Sequence, residues 1–298
     1  MLLSSGNPDD LRDVQNLRVV MPEPIWMCPV CGTGLVRGPS SFACPAGHTF
    51  DIAREGHVNL VLPQHRRSAA AGDPKDSLRH RRTFHQGGHY APLAARLVEL
   101  LAPEGADSVL DVGCGEGYYL RQLLNSPCSG DLRLYGVDVA KEAIRMASRA
   151  APKIDYAVAN TYRLPVRDAC VAAVLQVFAP SAAEQIQRVL LPYGLFIEVT
   201  PGPRHLQAFR AMIYEAPHAH NEAPVPSGFR LQQSESVTFS LRLSDPEAVA
   251  GLVEMTPYKW HMNPVTYGQV RELTELQDTA DFTINLFRPE RGSVNFNE

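Results

Sequence analysis

Apolar and polar positions follow a helix–strand rhythm through most of the chain. The stretch LAARLVELLAPEGADSVLDVGCGEGYYLRQLL predicts a helix, a turn, a buried strand over about Ser108–Val112, a glycine loop and a helix from Tyr118. The rhythm continues through LRLYGVDVA, KEAIRMASRA and IDYAVAN, and through the later segments VAAVLQVFAP, AAEQIQRVLLPYG and LFIEVTP. Strands that alternate with helices predict an α/β fold, with a Rossmann-like sheet that carries helices on both faces.

Two later segments, SVTFSLRLS and DFTINLFRP, alternate apolar and polar residues with a period of two. This period is typical of strands, and we expect the two segments to complete the sheet as an antiparallel pair. Residues 216–229, APHAHNEAPVPSGF, are rich in proline and predict a loop or lid near the substrate.

The composition of the 298-residue chain, with 45% hydrophobic and 20% charged residues, is that of a soluble globular protein. With a net charge of −4, any nucleic-acid binding must depend on a local basic patch. No apolar run is long enough to span a membrane, and residues 1–24 read as a flexible polar extension rather than a secretory signal. The six cysteines are too unevenly spaced for a disulfide framework, so we expect a reducing, cytoplasmic location.

Residues 25–62 contain a cluster of metal-ligand type. The spacing Cys28-x2-Cys31-x12-Cys44-x3-His48 supplies two close ligand pairs, each beside a glycine turn. Four such ligands suit tetrahedral Zn²⁺, and because protein fills every position, a structural site is favoured over a catalytic one. A module this small also needs a metal to stay folded. The alternative is a chance group of buried or redox-active thiols. Three other cysteines are interpreted as small buried apolar residues: Cys114, Cys128 and Cys170.

Residues 63–90 form a basic connector. From residue 64 to 90 there are five arginines and one lysine against two aspartates, a formal charge of +4. Arginine forks suit phosphate oxygens, so this segment is a candidate for contact with a nucleic-acid backbone. A solvated linker is the alternative. Its end, SLRHRRTFHQGG, predicts a helix that stops at the two glycines. The candidate phosphate ligands are Arg66, Arg67, Arg79, Arg81 and Arg82.

The glycine loop carries the most specific signal for a ligand. Its pattern is Asp111-x-Gly113-x-Gly115-x-Gly117, whereas dinucleotide-binding dehydrogenases use G-x-G-x-x-G. The next predicted strand ends in Asp138, 21 residues after Gly117, where a carboxylate can accept from both hydroxyls of a ribose. The alternative is a structural turn with a surface aspartate. The loop resembles the first motif of class I S-adenosylmethionine-dependent methyltransferases.

A longer series of blocks resembles one group within that class, the bacterial 23S rRNA (guanine-N1)-methyltransferases of the RlmA type. The blocks run from Cys28 to about Phe287 and comprise CPVC, CPAGHTFDIAREGHVNL, GHYAPL, VLDVGCGEGYY, FAPSAAE, TPGPRHL and MTPYKW. The resemblance implies S-adenosylmethionine and structural Zn²⁺ as cofactors and 23S rRNA as partner. The expected reaction methylates N1 of a guanine in a hairpin loop, in the region of hairpin 35. TPGPRHL is more similar to the subgroup typical of Gram-negative bacteria. A homodimer is also consistent with the family.

The resemblance implies a methyltransferase domain over residues 91–298. It also implies further cofactor residues, which lie within this domain or, for Tyr90, directly before it. Asn160 follows the third strand, where the class often has an acid, so the sequence departs from the pattern there. The implied cofactor residues are Tyr90, Asp111, Gly113, Gly115, Glu116, Gly117, Asp138, Asn160 and His205.

The sequence does not identify the group that accepts the guanine N1 proton. Candidates are His205, Glu198 and the polar groups that follow Pro180, while Phe178, Tyr258 and Trp260 are candidates to stack on the base. Two classes of alternative stay open. The chain could methylate another RNA, a protein or a small molecule, or it could be a non-catalytic factor that binds S-adenosylmethionine and rRNA.

Overall fold

The computed structural model describes residues 25–62, 74–101, 106–127 and 129–290. The predicted N-terminal extension, Arg66, Arg67 and Cys128 lie outside these residues. The strands are β1 (Val36–Arg37), β2 (Ser41–Ala43), β3 (Thr49–Asp51), β4 (Val58–Asn59), β5 (Ser108–Val112), β6 (Arg133–Asp138), β7 (Asp155–Val158), β8 (Val171–Val177), β9 (Leu190–Pro201), β10 (Phe229–Leu243) and β11 (Leu276–Pro289). The helices are α1 (Lys75–Gln86), α2 (Ala91–Leu101), α3 (Tyr118–Leu124), α4 (Lys141–Ala150), α5 (Ala183–Val189), α6 (Gln207–Ala211), α7 (Pro246–Met255) and α8 (Pro264–Arg271), with a 3₁₀ turn over Pro257–His261.

Eight strands form one mixed sheet in the order β10-β11-β9-β8-β5-β6-β7-β4. The strands from β9 to β4 are parallel to their neighbours, and β11 and β10 add an antiparallel pair at one edge. The α/β class and the antiparallel pair are therefore confirmed. The chain runs outward from β5 through β6 to β7 and then returns to place β8 on the other side of β5. This reversal opens a crevice beyond the carboxyl ends of β5 and β8, which is where ligands bind in such sheets.

Residues 25–62 pair their strands both with one another and with the large sheet. β1, β2 and β3 form a small antiparallel sheet, whereas β4 pairs with β7 at the edge of the large one. Trp26 packs edge-on against Tyr135 with ring centroids 6.0 Å apart, and Arg37 pairs with Asp155 at 3.0 Å. The small module and the sheet therefore share one apolar core on this face.

The described part of the basic connector is a packed helix. α1 ends at Gln86, as the sequence predicts, and Gly87 follows as its C-terminal cap. Leu78 packs into a cluster with Ala140, Ala143 and Met146, the last two on α4, while Phe84 is buried against α7. The helix therefore forms part of the wall above the sheet rather than a free linker. Among the described residues, no helix has the length and apolar character required to cross a membrane.

Candidate functional site

A cavity of about 690 Å³ lies beyond the carboxyl ends of β5 and β8. Of the nine residues predicted to bind a cofactor, seven line it: Tyr90, Asp111, Gly113, Gly115, Glu116, Asp138 and His205. Gly117 and Asn160 do not line this cavity. Asn160 instead accepts a hydrogen bond on its side-chain oxygen from the Tyr162 amide at 2.9 Å, while its neighbour Thr161 lines the cavity.

The glycines of the loop are required by the backbone and by close contacts. Gly113, Gly115 and Gly117 all have positive φ, at 81°, 55° and 78°. A Cβ on Gly113 would lie 2.3 Å from the Ala179 Cβ, and one on Gly117 would lie 2.7 Å from the Tyr156 hydroxyl oxygen. Any side chain at these positions would therefore strain the loop and displace its neighbours.

Asp111 brings a buried carboxyl group to the floor of the cavity. It is 1% exposed, and its Oδ2 has no hydrogen-bond partner among the described residues. Burial, with a further contribution from Asp138, raises the pKa of Asp111 to about 8. Asp138 is held in place, because its Oδ2 accepts from the Gly115 amide at 2.9 Å and its Oδ1 from the Ala140 amide at 2.8 Å. An orphaned carboxyl group beside a second one fits a ligand that carries positive charge.

Glu116 is fixed by two partners that the sequence analysis missed. The His85 Nδ1 lies 3.1 Å from its Oε1, and the Arg121 Nη1 lies 2.8 Å from its Oε2. Although burial alone would raise the pKa of Glu116, the hydrogen bonds from His85 and Arg121 hold it below its usual value. Burial lowers the pKa of His85, so the neutral ring donates from Nδ1 to the carboxylate. No local pattern connects His85 with Glu116, which follows 31 residues later.

Tyr90 and His205 form an aromatic wall. The Tyr90 ring packs edge-on against Phe282 at 5.0 Å, and the His205 ring lies 4.8 Å from the same phenylalanine. The Asp281 amide donates to the His205 Nδ1 at 3.3 Å. Burial, and then the neighbouring His220, lowers the pKa of His205 to about 3. The ring is therefore neutral with its proton on Nε2, which makes that atom a donor and not a base.

Three aromatic side chains predicted to stack on a base all line the cavity: Phe178, Tyr258 and Trp260. Phe178 is 45% exposed and has a left-handed backbone with φ 53°, which is strained for a residue with a side chain. Trp260 is 71% exposed, and the Lys259 ammonium lies 4.6 Å from its ring centroid. The predicted loop ahead of β10 contributes His220, whose Nε2 is 3.0 Å from the Tyr258 hydroxyl oxygen.

Glu198 was a candidate base, but it does not line this cavity. Its Oε1 lies 3.5 Å from the Gln176 side-chain nitrogen, on the face of the sheet shared with Phe196 and Phe287. Burial raises the pKa of Glu198. This shift follows from the position of Glu198 in the sheet and is no evidence for a catalytic role.

The described arginine candidates of the connector separate into two groups. Arg79 is exposed and pairs with Asp76 at 3.4 Å, and Arg82 is half-buried. Arg81 instead lines the cavity. This position separates Arg81 from Arg79, the exposed candidate on the same helix.

The four predicted metal ligands converge. Their ligand atoms all lie within 4.8 Å of one another, and the Cys31 and Cys44 sulfurs are 3.6 Å apart. Thiolates at about 2.3 Å from a tetrahedral Zn²⁺ would lie roughly 3.8 Å apart, so the donor set and its spacing fit zinc. His48 presents Nδ1, 3.3 Å from the Cys44 sulfur. Hydrogen bonds from Thr33 lower the pKa of Cys31 to about 6, which favours the thiolate that a metal requires.

Comparisons with known proteins match both parts of the chain. A family described as "RlmA, N-terminal" matches residues 26–69, and one described as "Methyltransferase domain" matches residues 109–194. The 23S rRNA (guanine(748)-N(1))-methyltransferase of Streptomyces fradiae is 34% identical over 269 residues, which cover 87% of this chain and 93% of that protein. A protein of Micromonospora griseorubida, provisionally named as a 23S rRNA (guanine-N(1)-)-methyltransferase, is 34% identical over 295 residues, 89% of this chain and 98% of its own length.

A solved structure of the Haloferax volcanii Trm112 methyltransferase activator with its candidate methyltransferase is also similar. The match has 19% identity and a TM-score of 0.45, and it covers 72% of this chain and 95% of that one.

Proposed function

Since this chain belongs to the family of 23S rRNA (guanine-N1)-methyltransferases, we propose that the guanine it modifies lies in the hairpin 35 region of that rRNA. The reaction is transfer of a methyl group from S-adenosylmethionine to N1 of the guanine. The observation that carries the proposal is the cavity itself, where the glycine loop and two carboxyl groups lie beside exposed aromatic rings. One end suits a cationic cofactor and the other suits an unstacked base.

The residues at the carboxyl ends of β5 and β6 would hold the cofactor. When bound, S-adenosylmethionine supplies a methyl group that is already activated by its sulfonium charge. Asp111 would balance positive charge on the ligand, and Asp138 would accept from ribose hydroxyls. The protein's main contribution to the rate is then alignment of the two reactants.

The aromatic residues of the cavity would hold the target guanine. A base can reach the cavity only if it leaves its stack, and stacking on side chains then compensates for the lost contacts. Phe178 and Trp260, with 45% and 71% of their surface exposed, are the residues we assign to this role. Guanine N1 must lose its proton during transfer, and water at the exposed side of the cavity, where Phe178 and Trp260 lie, can accept it. His205 can assist as a donor to O6 through its Nε2–H, since a hydrogen bond there stabilises the negative charge that develops.

The zinc module and the outer face of α1 would hold the RNA stem. A hairpin is recognised largely through its shape and its phosphates, so a rigid module beside basic side chains suits it. Arg79 is exposed and Arg82 is half-buried on α1, and neither of them lines the cavity.

We further propose that two copies of the chain pair into a homodimer, which would widen the RNA-binding surface. The 15-residue strand β10 forms one edge of the large sheet as described, and a long edge strand is a common pairing surface. Size-exclusion chromatography with light scattering should give about twice the monomer mass of 32.8 kDa. A mass that stays at the monomer value across micromolar concentrations would reject the pairing.

The target can be tested with labelled cofactor and purified RNA. The protein should transfer label to 23S rRNA from a strain that lacks the gene, and primer extension should then stop at one guanine of hairpin 35. The Streptomyces fradiae relative carries position 748 in its name, so the assay must resolve adjacent guanines. Label on another RNA or on protein would support the alternative substrates. Cofactor binding without any transfer would support a non-catalytic factor.

A further inference from the structure

Arg81 lies against the glycine loop, although it belongs to the basic connector helix. Its Nη1 is 3.8 Å from the point that a Cβ on Gly115 would occupy. Its Nη2 donates to the backbone carbonyl oxygen of Met255 at 3.2 Å. A guanidinium group has five N–H donors, so a bond to Met255 is compatible with further partners on the cavity side.

The position of Arg81 is set by the helix and by one buried contact. Arg81 and His85 are four residues apart in α1, so their side chains lie on the same helical face. The hydrogen bond from His85 to Glu116 ties this face to the loop, and the His85 ring stacks on Tyr118 at 4.2 Å. The arginine is therefore placed one helical turn along from a fixed point of the cofactor site.

The charges that line the cavity match those of the cofactor. Its lining includes four carboxylate residues and two cations other than histidine among the described residues: Asp111, Glu116, Asp138, Glu254, Arg81 and Lys259. Glu116 is paired with Arg121, and Glu254 with Lys259 and Arg271. Lys259 also donates to the Ser77 hydroxyl at 2.6 Å. Asp111 would then balance positive charge on the cofactor, while Asp138 would accept from its ribose hydroxyls.

The cofactor also carries one carboxylate, at the end of its methionine part. We propose that Arg81 binds this carboxylate, so that the basic helix α1 completes the cofactor site. The inference rests on S-adenosylmethionine as the cofactor of the proposed function and is independent of the RNA target. It assigns Arg81 to the cofactor, and leaves Arg79 and Arg82 as the described candidates for phosphate contact on this helix.

The contact between Arg81 and the cofactor carboxylate can be tested by binding alone, with two ligands and two proteins in a thermodynamic cycle. Calorimetry would measure the Kd of S-adenosylhomocysteine and of its decarboxylated analogue, which keeps the amine, for the wild type and for Arg81→Gln. S-adenosylhomocysteine should bind Arg81→Gln about tenfold or more weakly, because a hydrogen-bonded charge pair is lost. The decarboxylated analogue should bind the two proteins within about twofold. Arg79→Gln, on the outer face of α1, is the matched control and should leave both affinities unchanged.

The cycle distinguishes the contact from a structural role. Equal losses for both ligands would mean that Arg81 only supports the fold of α1, and no loss for either would mean that it does not touch the ligand. Both results overturn the proposal, and neither bears on the rRNA assay. If Arg81→Gln fails to fold, modification of Arg81 by phenylglyoxal in the wild type can be mapped by mass spectrometry. S-adenosylhomocysteine should then protect Arg81 and the decarboxylated analogue should not, whereas equal protection would contradict the contact.

Discussion

At the residue scale, the carboxyl group of Asp111 dominates the proposed cofactor site. A carboxylate is normally ionised at neutral pH, but burial raises the pKa of Asp111 to about 8. The unfolded chain, with an Asp pKa of about 3.9, releases this proton first as the pH rises. Between these two values the unfolded state binds fewer protons than the native state, so the native state loses stability as the pH increases.

Asp111→Asn should therefore stabilise the cofactor-free protein, and the gain should grow with pH. The free energy of unfolding of Asp111→Asn should exceed that of the wild type by an amount that increases by about 1 kcal/mol per pH unit between pH 5.5 and 7.5. The difference should level off above pH 8. Urea denaturation of both proteins at each pH measures it. The exposed Asp131→Asn is the control. Parallel stability curves for Asp111→Asn and the wild type would contradict this account of the buried carboxyl group.

The same group should make cofactor binding depend on pH. A cationic ligand favours the ionised form, so the affinity of the wild type for S-adenosylmethionine should increase from pH 6 to pH 8 as less proton release is required. Asp111→Asn should bind more weakly at pH 8 and show a flatter profile. Calorimetry in two buffers of different ionisation enthalpy would detect the released proton, and its absence would argue against a protonated Asp111.

At the element scale, the loop between β5 and α3 is constrained by both its backbone and its neighbours. Gly113→Ala combines a φ of 81° with a contact of 2.3 Å to the Ala179 Cβ. Gly88→Ala is a matched control, because its φ is 75° and nothing lies within 4 Å of its added Cβ. We expect about 1 kcal/mol of destabilisation for Gly88→Ala and about 2–4 kcal/mol for Gly113→Ala, with weaker cofactor binding only in the latter. Thermal and urea unfolding measure the difference, and equal losses would remove the role assigned to Ala179.

Helix α1 has two faces with different expected partners. His85 and Arg81 line the cavity, whereas the exposed Arg79 and the half-buried Arg82 do not. Replacing Arg79 and Arg82 together with alanine should weaken RNA binding and reduce the slope of log K against log salt by about 0.7–0.9 per lost phosphate contact. Arg230→Ala is the control, since this exposed residue is the second of β10 and lies at the end of the sheet opposite the cavity. An unchanged slope in the double variant would reject phosphate contact on this face.

At the scale of the whole molecule, the zinc site stabilises a module that is continuous with the methyltransferase sheet. β4 extends that sheet, the Ser148 hydroxyl on α4 donates to the Glu55 carbonyl, and Arg145 pairs with Glu55 at 3.7 Å. A module of this size has little apolar core of its own and depends on the metal to fold. Loss of zinc should therefore loosen this edge of the sheet as well as the module.

Elemental analysis of the purified protein should give one zinc per chain, and His48→Ala should lose it. We expect the midpoint of thermal unfolding to decrease by about 5 °C or more and RNA affinity to decrease. Binding of S-adenosylhomocysteine should be retained, because none of the four metal ligands lines the cavity at the carboxyl end of β5. Cys170→Ser lies outside the metal cluster and is the control. A zinc-free variant with unaltered unfolding and RNA binding would exclude a structural role for the metal.

Several features of the protein follow from the sequence alone because they depend on residues that are close along the chain. The strand, glycine loop and helix from Ser108 to Leu124 were predicted in type and order, since period and turn chemistry are local. The end of α1 and the strand character of the last two strands were predicted for the same reason, while their antiparallel pairing was expected because it is common in this fold. The four zinc ligands were predicted because their spacing already contains both turns, and the family was predicted from ordered blocks.

Other features are decided only by the tertiary structure, because packing brings together groups that are far apart along the chain. The hydrogen bond between His85 and Glu116 spans 31 residues, and the one between His205 and the Asp281 amide spans 76. Through these contacts the helix of the basic connector becomes a wall of the cavity, and the His205 Nε2 becomes a hydrogen-bond donor. Packing likewise directs Glu198 to another face of the sheet. Residue type states what a side chain can do, whereas burial and its distant neighbours determine its charge, its tautomer and the surface that it faces.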